Sequence, residues 1–151
     1  MIIIPYYKQK NAYFCGPAVM QMILAYYGIR TTQTALARRM RTNTRRGTTY
    51  RMMIATARRY GLRLTTNRRG TLRQLKRESS LYPTCVEYAE RDNNEAHYAI
   101  IKVVQKDRII LYDPYFGKDY ILPRSEFLAR WRDAWGTQGI RFRWMMSIRP
   151  A

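Results

Sequence analysis

The residue pattern of this chain changes once, near Ser80, and that change limits the fold more than any other feature. Before it, apolar residues recur at three- and four-residue spacing, between threonine or proline starts and glycine stops. The spacing predicts helices over 15–27, with Pro17 in the first turn and Gly28 as the stop, over 33–40, over 49–60 ending at Gly61, and over 72–79. After it, PTCVEYAE, HYAIIKVV, RIILYD and RFRWMMSI are rich in β-branched and aromatic residues and partly alternate, which predicts strands with QKDR as a hairpin turn. Residues 2–4 read as a short strand closed by Pro5. PRSEFLARWRDAW reads as a late helix with Phe127, Leu128 and Trp131 on one face. Helices first and antiparallel strands later mean an α+β fold, an N-terminal helical part packed on a C-terminal antiparallel sheet.

A length of 151 residues suits one domain, 1–151, with a real core, and 46% hydrophobic residues exclude a disordered chain. The apolar runs are too short for a transmembrane helix. MIIIPYY has neither the basic start nor the cleavage site of a secretory signal, so a cytoplasmic address is expected. Two cysteines, Cys15 and Cys85, make no disulfide framework, and a single histidine, His97, leaves no metal-ligand spacing. Neither a metal nor another cofactor is expected.

The net charge of +18 is unevenly placed: residues 1–77 hold 17 of the 28 basic residues and no Asp or Glu. A field this one-sided attracts an anionic partner, whether nucleic acid, an anionic membrane surface or an acidic peptide. A solvated basic face is the plainer reading of the same arginines.

The chemistry-bearing stretch is KQKNAYFCGPAV, residues 8–19. A thiol becomes a good nucleophile only as the thiolate, which a helix N-terminus and a neighbouring imidazolium both favour. Cys15 stands at such a helix start, with Gly16 beside it and Pro17 in the first turn, and His97 is the one imidazole available. Asp113 is the candidate to orient His97, because the two lie at the same end of the hairpin HYAIIKVV-QKDR-IILYD. Simple counting sets His97 opposite a residue just beyond Asp113, so a stagger or bulge is required. Donors for a developing oxyanion are the Cys15 backbone N–H and the Gln9 side-chain amide. Against this, a lone cysteine is more often a small buried residue, and Asp-Pro a common turn opener.

IPYYKQKNAYFCGPAVMQMILAYYG, RGTTYRMMIATARRYGL, HYAIIKVVQKDRIILYDPYFGK and SEFLARWRDAW together resemble the bacteriocin-processing, double-glycine cysteine peptidases, over nearly the whole chain. The resemblance implies a papain-like fold, with Cys15 as nucleophile, His97 as general base, Asp113 as orienting acid and Gln9 in the oxyanion hole. It also implies cleavage of leader peptides after Gly-Gly. Such leaders are often acidic amphipathic helices, which a basic groove would suit. Many relatives are the first domain of an ABC exporter. Here no transporter follows, which implies a freestanding peptidase serving a separate exporter. Cys85 has no counterpart in the motif and is expected in the core, while Asp119 is a rival orienting acid without the Asp-Pro context. Two alternatives remain: a transamidase on the same fold, and a basic nucleic-acid- or anionic-surface-binding module.

Overall fold

The computed structural model describes residues 1–132 and 142–151. The elements run α1 (Cys15–Tyr26), α2 (Gln33–Arg39), α3 (Tyr50–Arg59), β1 (Arg63–Asn67), α4 (Leu72–Leu81), β2 (Thr84–Ala89), β3 (Ala96–Val104), β4 (Arg108–Asp113), β5 (Gly117–Pro123), α5 (Arg124–Arg130) and β6 (Met145–Arg149). Three helices begin where a threonine can cap them: Thr32, Thr49 and Thr71 each accept a hydrogen bond from the backbone N–H three residues on. That satisfies one of the donors a helix start leaves unpaired. Helix α1 differs, because its N-cap is Phe14, which makes no side-chain capping bond. Just past its end stands Gly28, whose φ of 77° is one that a side chain would resist.

The strands form one antiparallel sheet in the order β1-β6-β2-β3-β4-β5. Its two faces are both covered. Cys85, Tyr98, Ile100, Tyr112, Met146 and Ile148 meet the apolar stripes of α1, α2 and α3. Val86, Tyr88, Ala99, Ile101, Ile109 and Leu111 meet Leu75 of α4, Phe127 of α5 and Trp131. The helix with the most buried positions, α1, carries Val19, Met20, Ile23 and Leu24 fully buried, so it is pinned to the sheet along its length.

The α+β class expected from the pattern is the observed one, with three differences in detail. Residues 2–4 form no strand: Ile2 and Ile4 are held by the Tyr112 hydroxyl at 3.1 and 3.4 Å rather than by a ladder. Strands β1 and β5 had no apolar alternation to announce them. They are the two edges of the sheet, where RLTTN and GKDYILP face water on one side. The late helix stops at Arg130, so Trp131 lies just past its end, fully buried, with its indole N–H donating to the Trp144 carbonyl at 3.0 Å. The rest of that predicted helix, 133–135, and Arg141 of the predicted last strand lie outside the described residues. Among the described residues no helix is long and apolar enough to cross a membrane.

Gly70 lies flat against Trp131: a Cβ there would stand 2.7 Å from the indole and 3.0 Å from the Arg143 carbonyl oxygen. Gly70→Ala is therefore expected to overpack this corner and cost about 1–3 kcal/mol, read as a lower thermal midpoint.

Candidate active site

Asp113 is the last residue of β4 and has no exposure to solvent. Its carboxylate is met from three sides. His97 Nε2 lies 2.8 Å from Oδ1. The backbone N–H groups of Tyr115 and Phe116 donate to the same oxygen at 2.9 Å, closing an Asx-type turn. The Tyr88 hydroxyl donates to Oδ2 at 2.6 Å. Burial alone would push the carboxyl up, but the charge and hydrogen bond of His97, with the bonds from Tyr88 and Phe116, hold it below its ordinary 3.8. Burial alone would likewise strip the proton from His97. The Asp113 charge and hydrogen bond, together with Cys15 beside the ring, instead raise it from 6.5 to about 10.

The meeting of His97 and Asp113 depends on one extra residue. Near the hairpin turn Val104 pairs with Ile109 and Val103 with Ile110, whereas beyond it Ile101 pairs with Leu111 and Ile100 with Tyr112. Between the two registers β3 advances by two residues and β4 by one, so Lys102 is bulged out. Continued unbroken, the first register would set Asp113 opposite Ile100, on the sheet face away from His97. The bulge sets it opposite Ala99, whose face His97 shares. The required stagger is thus present, and it decides the face as well as the distance.

Cys15 reaches this pair from the other layer. It opens α1 and belongs to the cluster of α1–α3, on the far side of the sheet from the cluster that Tyr88 joins. It lies close enough to the ring to help hold the proton on His97. With Nε2 engaged by Asp113, Nδ1 is the ring nitrogen that serves the thiol. Gly16 lets α1 sit this deep, since a Cβ there would stand 2.5 Å from Thr48 Oγ1. Thr48 is itself fixed, its carbonyl accepting from the Tyr98 hydroxyl at 2.7 Å and its hydroxyl paired with Thr42 at 2.7 Å.

Gln9 lies on the segment leading into α1 and is buried. Its backbone N–H donates to the Pro114 carbonyl at 2.8 Å, and the Tyr6 hydroxyl donates to the Asp113 carbonyl at 2.6 Å. The loop carrying Gln9 is therefore stitched to the turn carrying Asp113. The Gln9 amide nitrogen donates to Asn11 at 2.8 Å, which leaves its second hydrogen free to donate. Its amide oxygen is buried without a partner among the described residues. The assembly offers a thiol at an uncapped helix start, an imidazolium and its counter-ion, the parts that acyl transfer needs. Among the described residues no three His, Cys, Asp or Glu side chains cluster as a metal ion would need.

The sequence model of the family described as "Peptidase C39 family" matches residues 3–135. The chain belongs to the peptidase C39 family. It is a cysteine peptidase. Solved structures share its fold. The peptidase domain of Streptococcus ComA, a bifunctional ABC transporter of a quorum-sensing pathway, superposes with a TM-score of 0.76 at 22% identity, over 96% of this chain and 97% of that one. A double-glycine motif protease from an AMS/PCAT transporter, solved with its leader peptide, gives 0.75 at 23%, over 99% and 93%. A C39-like peptidase from Bacillus anthracis gives 0.71 at 15%, over 97% and 94%. No curated protein matches the sequence.

In this C39 peptidase the four residues singled out from the sequence lie around one end of the sheet. Asp119, the rival acid, is on the surface in an ion pair with Lys102 and away from His97. Cys85 is fully buried in the core, and burial pushes its thiol up. Tyr88, Phe116, Tyr6 and Thr48 were not foreseen. Tyr88 stands directly opposite His97 across β2 and β3, a register that the loop between those strands conceals.

The His97–Asp113 pair makes stability depend on pH. His97 binds its proton more tightly when folded, so its contribution is complete below pH 6.5 and disappears as pH rises through about 10. Asp113 binds its proton less tightly when folded, so its contribution is complete above pH 3.8 and disappears as pH falls below that. The gap in thermal midpoint between the wild type and Asp113→Asn is therefore expected to be widest between pH 3.8 and 6.5 and to narrow towards pH 10. A melting series across that range measures it.

Proposed function

We propose that this C39 peptidase hydrolyses a peptide bond through a thioester on Cys15, after a Gly-Gly pair in an acidic leader peptide. The observation that carries the reading is the buried His97–Asp113 ion pair beside a thiol at an uncapped helix start. The Cys15 thiolate attacks the carbonyl carbon. The resulting oxyanion takes hydrogen bonds from the Cys15 N–H and the Gln9 amide. His97 passes a proton from Nδ1 to the leaving amine, and the C–N bond breaks to give the thioester. The neutral imidazole then takes a proton from water, which attacks the thioester and frees Cys15. Asp113 keeps one orientation of the ring throughout.

The choice of substrate rests on two supports. One is the similarity to the double-glycine motif protease. The other is charge: an open groove of about 460 Å³ lies between α3 and β1, floored by Tyr50, Ile54 and Trp144 and rimmed by Arg51, Arg58 and Arg68. An acidic peptide with an apolar side complements it in both respects. Trp144 packs edge-on to Tyr98, the residue that anchors Thr48 beneath α1, so the groove adjoins the support of Cys15. The same likeness supports an ABC exporter as working partner, and the cytoplasm stays the proposed place of action.

The test joins thiol labelling to cleavage. Labelling by an electrophile from about pH 4 to about pH 9 is expected to be rapid already in acid, and to need both Cys15 and His97 but not Cys85. A synthetic acidic peptide containing Gly-Gly is expected to be cut after the second glycine. Cys15→Ala and His97→Ala should abolish cutting, and Gln9→Ala should slow it by about 10²-fold. Labelling that rises only in alkali and ignores His97 would remove the thioester mechanism. Cleavage elsewhere would remove the Gly-Gly assignment.

A further inference from the structure

On the reading that Cys15, His97 and Asp113 form the catalytic group, we propose that Tyr88 is a positioning residue whose buried hydroxyl holds the Asp113 carboxylate with Oδ1 towards His97. Tyr88 has no exposure to solvent, and its hydroxyl lies 2.6 Å from Asp113 Oδ2. A phenol in such a place must bond a protein group, since water cannot replace it. The other donors, His97 Nε2 and the two backbone N–H groups, all act on Oδ1. Tyr88 alone among these engages Oδ2. Without it that oxygen is a buried, unpaired half of a carboxylate, and only the bonds on Oδ1 are left to hold its charge and its plane.

The position of Tyr88 gives its ring a second task. It pairs directly with His97 across β2 and β3, and its ring meets the imidazole edge-on at 5.6 Å. Phe116 also meets the imidazole in a T-shaped contact, with centroids 6.0 Å apart. The imidazole thus has two aromatic neighbours, and the Tyr88 phenol bonds the acid that bonds the imidazole. Burial and the Asp113 charge both keep the phenol protonated, so it remains a donor. The titratable groups that face this cluster are His97 on β3, Tyr6 on the N-terminal segment, Tyr120 on β5 and Cys15 on α1.

His97 is the only histidine in the chain, so its NMR signal is unambiguous. In full-length protein carrying Cys15→Ala, ionisation of Asp113 appears as an acid-side inflection in the His97 signal. Tyr88→Phe keeps the ring and removes the bond, and is expected to move that inflection up by about one pH unit. Tyr98→Phe is the matched control: it also deletes a buried phenol hydroxyl, one bonded to the Thr48 carbonyl, and should leave the inflection in place. With Cys15 intact, Tyr88→Phe should lower kcat about tenfold, leave KM little changed, and shift the acid limb of kcat/KM by the same amount. A folded Tyr88→Phe with an unmoved inflection overturns the inference. Should that variant not fold, 3-fluorotyrosine at position 88, a stronger donor, must move the inflection to lower pH, and no movement overturns the inference equally. A moved inflection, where the protein with Cys15 intact cleaves nothing, keeps Tyr88 in this role and removes the peptidase mechanism. Cleavage with an unmoved inflection does the reverse.

Discussion

A carboxylate sealed from water has to be met by donors or give up its charge. Asp113 is met by four: His97, Tyr88 and the backbone N–H groups of Tyr115 and Phe116. They come from three different arrangements of chain. The turn after β4 supplies the backbone pair, β2 supplies the phenol, and β3 supplies the imidazole only because Lys102 is bulged out of its ladder. An isolated buried carboxylate would cost several kcal/mol, so turn, bulge and register support one another: the charge persists only where all three are correct, and His97 keeps its proton only while the charge persists.

The thiol arrives from a separate layer, and its placement rests on contacts that carry no charge. Helix α1 is buried along its apolar face, close to Thr48 at Gly16, and Thr48 is tied through Tyr98 to Trp144. On the outer side, Tyr6 and Gln9 bond the Asp113 and Pro114 carbonyls, so the segment entering α1 is fastened to the turn that carries the acid. The helical layer and the sheet are thereby joined at the site itself. The helices capped by threonine spend one of their first N–H groups on the cap, whereas α1, with Phe14 as its N-cap, has no side-chain cap where its cysteine stands.

Charge is handled differently in the two halves. In the second half acids find local partners: Glu126 lies between Arg91 and Arg130, and Asp119 bonds Lys102. Residues 1–77 contain no acid to offset their arginines, and Arg51, Arg58 and Arg68 gather at one groove beside α3. Exposed charges of one sign attract from a distance, whereas the paired ones hold local geometry.

The first four helices and the central strands were readable because a buried helix face repeats every three or four residues and a buried strand is rich in β-branched residues. The edge strands β1 and β5 were not, because water on one side removes the apolar signal. The types of the site residues, and the ends of elements on which they stand, were likewise in the sequence: a thiol before Gly-Pro, one imidazole opening a strand, an acid closing the next. How the acid Asp113, already singled out, would come to face the imidazole was a different matter. In a hairpin, one residue more or less reverses the face of everything beyond it. IIKVV does not say that Lys102 is the extra residue, nor does PTCVEYAE say that Tyr88 stands opposite His97. Local composition determined what each element is and which reactive groups it carries. Only packing between layers decided that Asp113 rather than Asp119 reaches His97, because register is chosen by the whole sheet and the helices on both its faces.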